Sequence, residues 1–158
     1  MIGIVDYNAG NIKSVERSLV ALGIDYKISK NPSDLSDVDR VIFPGVGEAA
    51  FAMDQLQKSG FDSFLKDFAA SGKPLLGICL GSQVIFDYSE EGDTQCLGLV
   101  KGSVKHFASV LPESEKDLKI PHMGWSSVDF VKNLPIFDGI PNHSDFYFVH
   151  SYLIQPEN

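Results

Sequence analysis

Along its first half, the chain alternates short apolar runs with amphipathic segments. The apolar runs cover residues 1–5, 24–29, 40–43 and 74–78, each long enough for a buried strand. Strands separated by helical segments are typical of an α/β fold built on a mostly parallel sheet. The pattern therefore predicts four strands of one such sheet.

The segments between these strands have helical spacing. Asn11 can cap a helix whose apolar residues recur every three or four positions, and Gly23 can end it; these residues are Ile12, Val15, Leu19 and Leu22. Helical patterns also cover residues 48–57 and 61–70, separated by Gly60, and residues 80–88 after the fourth strand.

The pattern changes beyond Gly92. Short β-like pieces cover residues 102–107, 126–130 and 145–149, and they lie between Gly, Pro and Asn. We interpret them as antiparallel additions to the parallel core. The prediction is one α/β domain over residues 1–158.

Composition narrows the class of protein. Hydrophobic residues make up 44% of the 158 residues, enough for a sizeable core, and the formal net charge is −8. No cluster of Lys and Arg offers a nucleic-acid surface. The start of the chain lacks a signal-like pattern, and no apolar run approaches the roughly 20 residues that span a bilayer. A cytoplasmic location is expected.

The most specific candidate for a catalytic motif is Gly77-Ile78-Cys79-Leu80-Gly81, where a predicted strand passes into a predicted helix. Such an elbow holds a nucleophile in a strained turn, and small residues two positions away let strand and helix approach closely. The start of the helix favours a thiolate, and the N–H of Leu80 can stabilise an oxyanion. The alternative is a buried core cysteine.

A second candidate, Pro44-Gly45-Val46-Gly47, follows the third predicted strand. Ligands of open α/β sheets bind beyond the carboxyl ends of strands, and glycine lets a peptide unit turn its N–H towards an anion. This turn could supply a second oxyanion donor. The alternative is an ordinary connection between a strand and a helix.

Two further segments allow two interpretations each. His150-Ser151-Tyr152 follows an apolar run, and its histidine could be catalytic or structural. Pro121-His122-Met123-Gly124-Trp125 holds the only Trp, in a predicted loop, where the ring could be core or an anchor for a partner. The residues alone favour a structural His150 and a core Trp125.

Taken together, these segments resemble one family. Asp6-Tyr7-Asn8-Ala9-Gly10-Asn11, the glycine-rich turn, the elbow with Gln83, residues 121–125 and residues 150–152 occur in its order. The elbow is similar to that of class I glutamine amidotransferases in general. The segments 8–11 and 121–125 narrow the resemblance to the glutaminase subunit of imidazole glycerol phosphate synthase, with Ser82 and Ser126 as modest departures.

The resemblance implies a flavodoxin-like domain, with helices on both faces of the sheet, that hydrolyses glutamine to glutamate and ammonia. A (β/α)₈ cyclase would be the partner in a heterodimer of histidine biosynthesis and would use the ammonia. No metal and no cofactor are implied. A related pathway of nucleotide-sugar amination and a non-catalytic docking module remain alternatives.

The resemblance also implies roles for individual residues. Cys79 is the nucleophile, and backbone N–H groups of Leu80 and of the Val46-Gly47 peptide bind the oxyanion. The implied glutamine-binding residues are Gly45, Gly47, Gln83, His150, Ser151 and Tyr152, and those facing the cyclase are Asn8, Asn11 and Trp125.

The family's catalytic His-x-Glu motif lies beyond the segment that corresponds to His150-Ser151-Tyr152. The four histidines of this chain are His106, His122, His143 and His150, and none precedes a Glu at that spacing. We therefore expect the chain to be incomplete at its C-terminus. We also expect a bare sheet edge with exposed apolar side chains, and a polypeptide that is inactive by itself.

Overall fold

A computed structural model of the protein describes residues 1–157. The first elements are β1 (Ile2–Val5), α1 (Ile12–Ala21), β2 (Tyr26–Ser29), β3 (Arg40–Gly45), α2 (Ala49–Ser59), α3 (Phe61–Ala70), β4 (Leu75–Cys79) and α4 (Leu80–Gln83). The later elements are β5 (Tyr88–Ser89), β6 (Thr94–Gln95), β7 (Gly102–His106), α5 (Phe107–Val110), β8 (His122–Val128), β9 (Ser144–His150) and β10 (Tyr152–Pro156).

The described residues fall into two compact units. The first holds residues 1–105 and 154–157, and the second holds residues 106–153. The single domain expected over residues 1–158 stays a prediction.

The first unit is built on a parallel sheet of strand order β2-β1-β3-β4. This is the start of the flavodoxin-like order. The crossover through α1 runs from β1 to β2, and the crossover through α2 and α3 runs from β3 to β4, in the opposite direction. Crossovers between parallel strands are right-handed in nearly all proteins, so opposite directions along the sheet are expected to place their helices on opposite faces. The predicted fold class is confirmed.

Local signals place the first three helices where the sequence predicted them. The side chain of Asn11 accepts a hydrogen bond from the N–H of Ser14 at 3.3 Å, so that it caps α1. Gly60, with a φ of 76°, separates α2 from α3. The left-handed backbone at this position suits glycine, which has no Cβ.

The core of the first unit lies between the sheet and its helices. Its largest fully buried side chains are Tyr7, Phe43, Phe61, Ile4, Leu35, Leu56 and Leu65. Among the described residues, β4 has a neighbouring strand on one side only. Its side chains Leu76 and Ile78 are 42% and 39% exposed. The expected bare edge with exposed apolar side chains is therefore present at β4.

The helix predicted over residues 80–88 is wrong beyond Gln83, where α4 ends. The carbonyl groups that would continue it accept hydrogen bonds from a later segment of the chain. The N–H groups of Leu97, Gly98 and Leu99 donate to the carbonyls of Val84, Phe86 and Ile85. These bonds satisfy the backbone in a turn, and Tyr88 begins a short strand.

The additions predicted after Gly92 are present as strands. A second sheet has the order β10-β7-β5-β6, with β5 antiparallel to β6 and parallel to β7. In the second unit, β8 and β9 pair antiparallel with Trp125 opposite Tyr147. β8 begins at His122, so residues 122–125 are strand and not the predicted loop.

Candidate active site

The chain turns from β4 into α4 at Cys79, as the sequence predicted. Cys79 has φ 56° and ψ −121°, a backbone conformation that side chains rarely adopt. Its side chain is exposed. A strained, exposed thiol at the end of a strand is typical of a nucleophile elbow, and a buried core cysteine is not observed.

Two glycines allow the elbow to form. A Cβ on Gly77 would lie 2.7 Å from the Cα of Ser82, and a Cβ on Gly81 would lie 2.0 Å from the carbonyl oxygen of Phe43. Both contacts are with backbone atoms, which cannot move aside. The spacing of glycines two residues before and after Cys79 therefore reflects the close approach of α4 to β3 and β4.

The glycine-rich turn lies beside the elbow. Gly45 and Cys79 are register partners on the parallel strands β3 and β4. A Cβ on Gly45 would lie 2.6 Å from the backbone nitrogen of Gly81. Because the carboxyl ends of neighbouring parallel strands meet at one edge, Val46 and Gly47 continue from β3 next to the thiol.

The backbone donors around the thiol differ in their bonding. Within residues 1–157, the N–H of Gly47 has no hydrogen-bond acceptor. The N–H of Val46 donates to the carbonyl oxygen of Ala9 at 2.9 Å, on the side of β1. Gly47 thus offers an unoccupied donor, whereas the donor of Val46 is engaged elsewhere. Because α4 has four residues, its dipole adds little to these local N–H groups.

The sequence analysis assigned no role to Tyr7, yet its side chain lies next to Gly45 beside the elbow. It is 1% exposed, and its hydroxyl oxygen lies 2.8 Å from the position of a Cβ on Gly45. Burial raises the pKa of Tyr7, and the nearby charge of Cys79 raises it further. No sequence signal separates this hydroxyl from that of any core tyrosine.

Cys96 is shielded, whereas Cys79 is exposed. The thiol of Cys96 is half-buried and donates to the carbonyl oxygen of Thr94 at 3.5 Å. Burial, and then the charge of Glu91, raise the pKa of Cys96 to about 11. The thiol of Cys96 is therefore protonated at neutral pH and does not act as a nucleophile.

The remaining predicted glutamine-binding residues lie at two places. Gln83 is half-buried at the end of α4 in the first unit. His150, Ser151 and Tyr152 follow one another in the second unit, at the junction of β9 and β10. The carbonyl oxygen of Ser151 accepts a hydrogen bond from Phe107 at 3.0 Å.

His150 is held by a chain of hydrogen bonds that sequence reasoning missed. Its Nδ1 lies 2.8 Å from the carbonyl oxygen of Tyr152 and must donate, and in a neutral ring Nε2 is then the acceptor. That Nε2 lies 3.2 Å from the Nδ1 of His122, and the hydroxyl of Ser126 lies 3.3 Å from the other nitrogen of His122. The pairing follows from the register of β8 and β9, which the sequence does not display.

The residues expected to face a partner are exposed. Trp125 is 70% exposed and packs edge-on against Tyr147, with ring centroids 5.5 Å apart. The interpretation of Trp125 as a core residue is therefore wrong. Asn8, with φ 69°, accepts a hydrogen bond from Lys30 at 2.9 Å, while Asn11 caps α1.

Residues 1–157 contain neither a cluster of metal ligands nor a membrane-spanning helix. No group of three His, Cys, Asp or Glu side chains in this range is placed to hold a metal ion. None of the helices in this part of the chain is both long enough and apolar enough to span a bilayer.

Comparison with known proteins agrees with the geometry. Residues 3–158 match the family described as glutamine amidotransferase class-I. The imidazole glycerol phosphate synthase subunit HisH of Dehalococcoides mccartyi (strain ATCC BAA-2266 / KCTC 15142 / 195) is 49% identical over 157 residues, which cover 99% of this chain and 73% of that protein. The HisH subunit of Maridesulfovibrio salexigens is 44% identical over 158 residues, covering 99% of this chain and 74% of that protein.

Solved structures show the same fold at lower identity. A crystal structure of a glutamine amidotransferase superposes with a TM-score of 0.72 at 17% identity, over 98% of this chain and 73% of that one. A putative GMP synthase protein from Thermoplasma acidophilum has a TM-score of 0.63 at 24% identity, over 97% of this chain and 65% of that one. The chain belongs to the class I glutamine amidotransferase family, and its sequence groups it with the HisH subunits of imidazole glycerol phosphate synthase.

Proposed function

We propose that this protein hydrolyses glutamine to glutamate and ammonia, with Cys79 as the nucleophile. The ammonia passes to a (β/α)₈ cyclase subunit in histidine biosynthesis, in the cytoplasm. The observation that carries the proposal is the exposed thiol on its strained elbow, in register with Gly45 and near the unoccupied backbone N–H of Gly47. The identity to HisH subunits supports the choice of pathway.

The elbow defines the first chemical step. The thiolate of Cys79 attacks the side-chain amide carbon of glutamine, a C–S bond forms, and the carbonyl oxygen becomes an oxyanion. The N–H groups of Leu80 and of the glycine-rich turn stabilise that charge, and each such donor contributes about 2.7–4 kcal/mol. Collapse of the intermediate releases ammonia and leaves a thioester, which water hydrolyses to glutamate.

Release of ammonia requires a proton, and hydrolysis of the thioester requires an activated water. A histidine oriented by a carboxylate performs both tasks in this type of reaction and contributes about 10²–10⁴-fold. We assign no residue of this chain to that role, because His150 and His122 are bonded to each other and to Tyr152 and Ser126.

We further propose that the Gly45–Val46 peptide rotates when the site is activated. β3 lies between β1 and β4, and the N–H and carbonyl of one trans peptide point to opposite sides of their strand. The N–H of Val46 now points towards Ala9, beside β1. Rotation by half a turn would aim it at the oxyanion formed on Cys79, and the glycine at position 45 tolerates both orientations.

The partner surface is assigned to one face of β8 and β9. Alternate residues of these strands are exposed and apolar, namely Met123, Trp125, Tyr147 and Val149. A contiguous apolar surface with two aromatic rings is typical of a protein interface, and large aromatic side chains dominate the binding energy of such surfaces. Trp125, opposite Tyr147, is the proposed anchor for the cyclase.

Replacing Trp125 with alanine is expected to weaken binding of the cyclase by about 2 kcal/mol, or roughly 30-fold in Kd. The side chain is 70% exposed, so the substitution should leave the melting temperature nearly unchanged. Isothermal titration calorimetry measures the affinity. Phe51→Ala, at a 50% exposed position on α2, is the matched control and should bind like the parent. Equal affinities of all three proteins would refute the assignment of this face.

Glutamine hydrolysis by the complete gene product, with the cyclase subunit present, tests the proposed function. We expect release of ammonia and glutamate in equal amounts, and a higher rate when an acceptor analogue occupies the cyclase. Binding of the cyclase without hydrolysis would identify a docking module. Hydrolysis of esters but not of glutamine would point to another cysteine hydrolase with the same elbow.

A further inference from the structure

The hydroxyl of Tyr7 is a buried polar group without a partner. Among residues 1–157, it is the only buried side-chain nitrogen or oxygen that makes no hydrogen bond. A buried polar atom without a partner lowers the stability of the fold by about 1–3 kcal/mol. A phenylalanine would fill the same space without that penalty. A buried polar group of this kind calls for a specific explanation, such as a role in catalysis.

The hydroxyl lies under the two segments that form the proposed oxyanion site. A Cβ on Gly45 would lie 2.8 Å from the hydroxyl oxygen and 3.1 Å from the carbonyl carbon of Leu80. The ring is fixed against Phe43, with centroids 5.2 Å apart. Because burial raises the pKa of Tyr7, the group stays a neutral O–H donor at all physiological pH values.

Rotation of the Gly45–Val46 peptide would bring a hydrogen-bond acceptor, the carbonyl oxygen of Gly45, towards the hydroxyl of Tyr7. The rotation breaks the hydrogen bond from Val46 to the carbonyl oxygen of Ala9. It also turns the carbonyl of Gly45 towards β1, where the oxygen of Ala9 already lies, so that two acceptors would face each other. A donor is needed on this side of the strand to stabilise the rotated peptide.

We propose that Tyr7 is a positioning residue whose hydroxyl donates to the carbonyl oxygen of Gly45 after this rotation. The bond holds the N–H of Val46 towards the oxyanion on Cys79. Tyr7 thereby gains a partner only in the active arrangement, and touches neither glutamine nor the thiol. The inference rests on the proposed function, since it concerns the same oxyanion site.

The substitution Tyr7→Phe tests the inference in the complete gene product with the cyclase subunit present. The probe is 6-diazo-5-oxonorleucine, whose ketone takes the place of the amide carbonyl of glutamine. We expect the maximal rate of Cys79 labelling to fall about three- to tenfold, the effect of one lost hydrogen bond. The half-saturating concentration should not change, because Tyr7 is buried away from the amino acid.

Two readouts separate a positioning role from a structural one. Alkylation of Cys79 by iodoacetamide forms no oxyanion, so its rate should be unchanged. The melting temperature should stay the same or rise, because the substitution removes an unpaired hydroxyl. Tyr26→Phe, which removes a hydroxyl bonded to Glu16 at 3.1 Å, is the matched control and should label like the parent.

Each contrary result has a distinct meaning. Equal labelling of the Tyr7→Phe variant and the parent by the diazo ketone would overturn the inference and leave the proposed function intact. Equal slowing with both reagents, or a lower melting temperature with a matching loss of labelling, would also overturn it. A parent protein alkylated by iodoacetamide but inert to the diazo ketone would overturn the proposed function, and this inference with it.

Discussion

Replacing Cys79 with alanine is expected to lower the rate of glutamine hydrolysis by roughly 10⁴- to 10⁶-fold, as is usual for the loss of a nucleophile. No other thiol can substitute, because Cys96 is half-buried and its pKa is raised to about 11. Alanine retains the Cβ, so the strained φ of 56° at this position and the fold around it should persist. Ammonia release, measured with the cyclase present, gives the rate.

Cys96→Ala is the matched control for this prediction. It removes a cysteine with the opposite environment, and hydrolysis should continue at the parent rate. Labelling at pH 8 gives an independent check, because iodoacetamide should modify Cys79 while Cys96 remains protonated and slow to react. Residual activity of Cys79→Ala above one hundredth of the parent rate would be incompatible with the proposed mechanism.

The largest expected effect on stability comes from Gly81→Ala. The added Cβ would lie 2.0 Å from the carbonyl oxygen of Phe43 and 3.4 Å from the backbone nitrogen of Gly45. Since these are backbone atoms of β3, the strand and α4 would have to separate. We expect the free energy of unfolding to fall by about 3 kcal/mol or more, a large part of the total for a small domain. Urea denaturation followed by circular dichroism measures the change.

Gly72→Ala distinguishes lack of space from backbone strain. Gly72 has a φ of 75°, and a Cβ there would have no neighbour within 4 Å. Its replacement should cost only the strain of a left-handed residue, about 1–2 kcal/mol. If Gly81→Ala were no more destabilising than Gly72→Ala, the close approach of α4 to β3 would not be the reason that position 81 requires glycine.

Local chemistry made much of the first unit predictable. Alternation of apolar and amphipathic segments indicated the strands, and Asn11 and Gly60 marked helix ends, because capping and left-handed turns depend on one residue and its neighbours. The prediction failed for residues 84–88, whose apolar spacing suits a helix. There the backbone bonds to residues 97–99, and such long-range partners leave no trace in local spacing.

The candidate site, too, was predictable from the sequence only in part. The elbow could be predicted from Gly77, Cys79 and Gly81, because a sharp turn between strand and helix requires small residues at that spacing. The engagement of Val46 by Ala9 and the pairing of His122 with His150 depend on which strands are neighbours and in which register. Neither contact could be foreseen from spacing along the chain.

By itself, the sequence determined the class of sheet, the thiol at its elbow and the family to which the chain belongs. These follow from short motifs whose residues are constrained by backbone geometry within a few positions. Only the tertiary structure decided that Trp125 is exposed, that Cys96 is shielded and that the hydroxyl of Tyr7 is buried without a partner. Exposure and hydrogen-bonding depend on segments far apart in the chain, and folding alone brings these together.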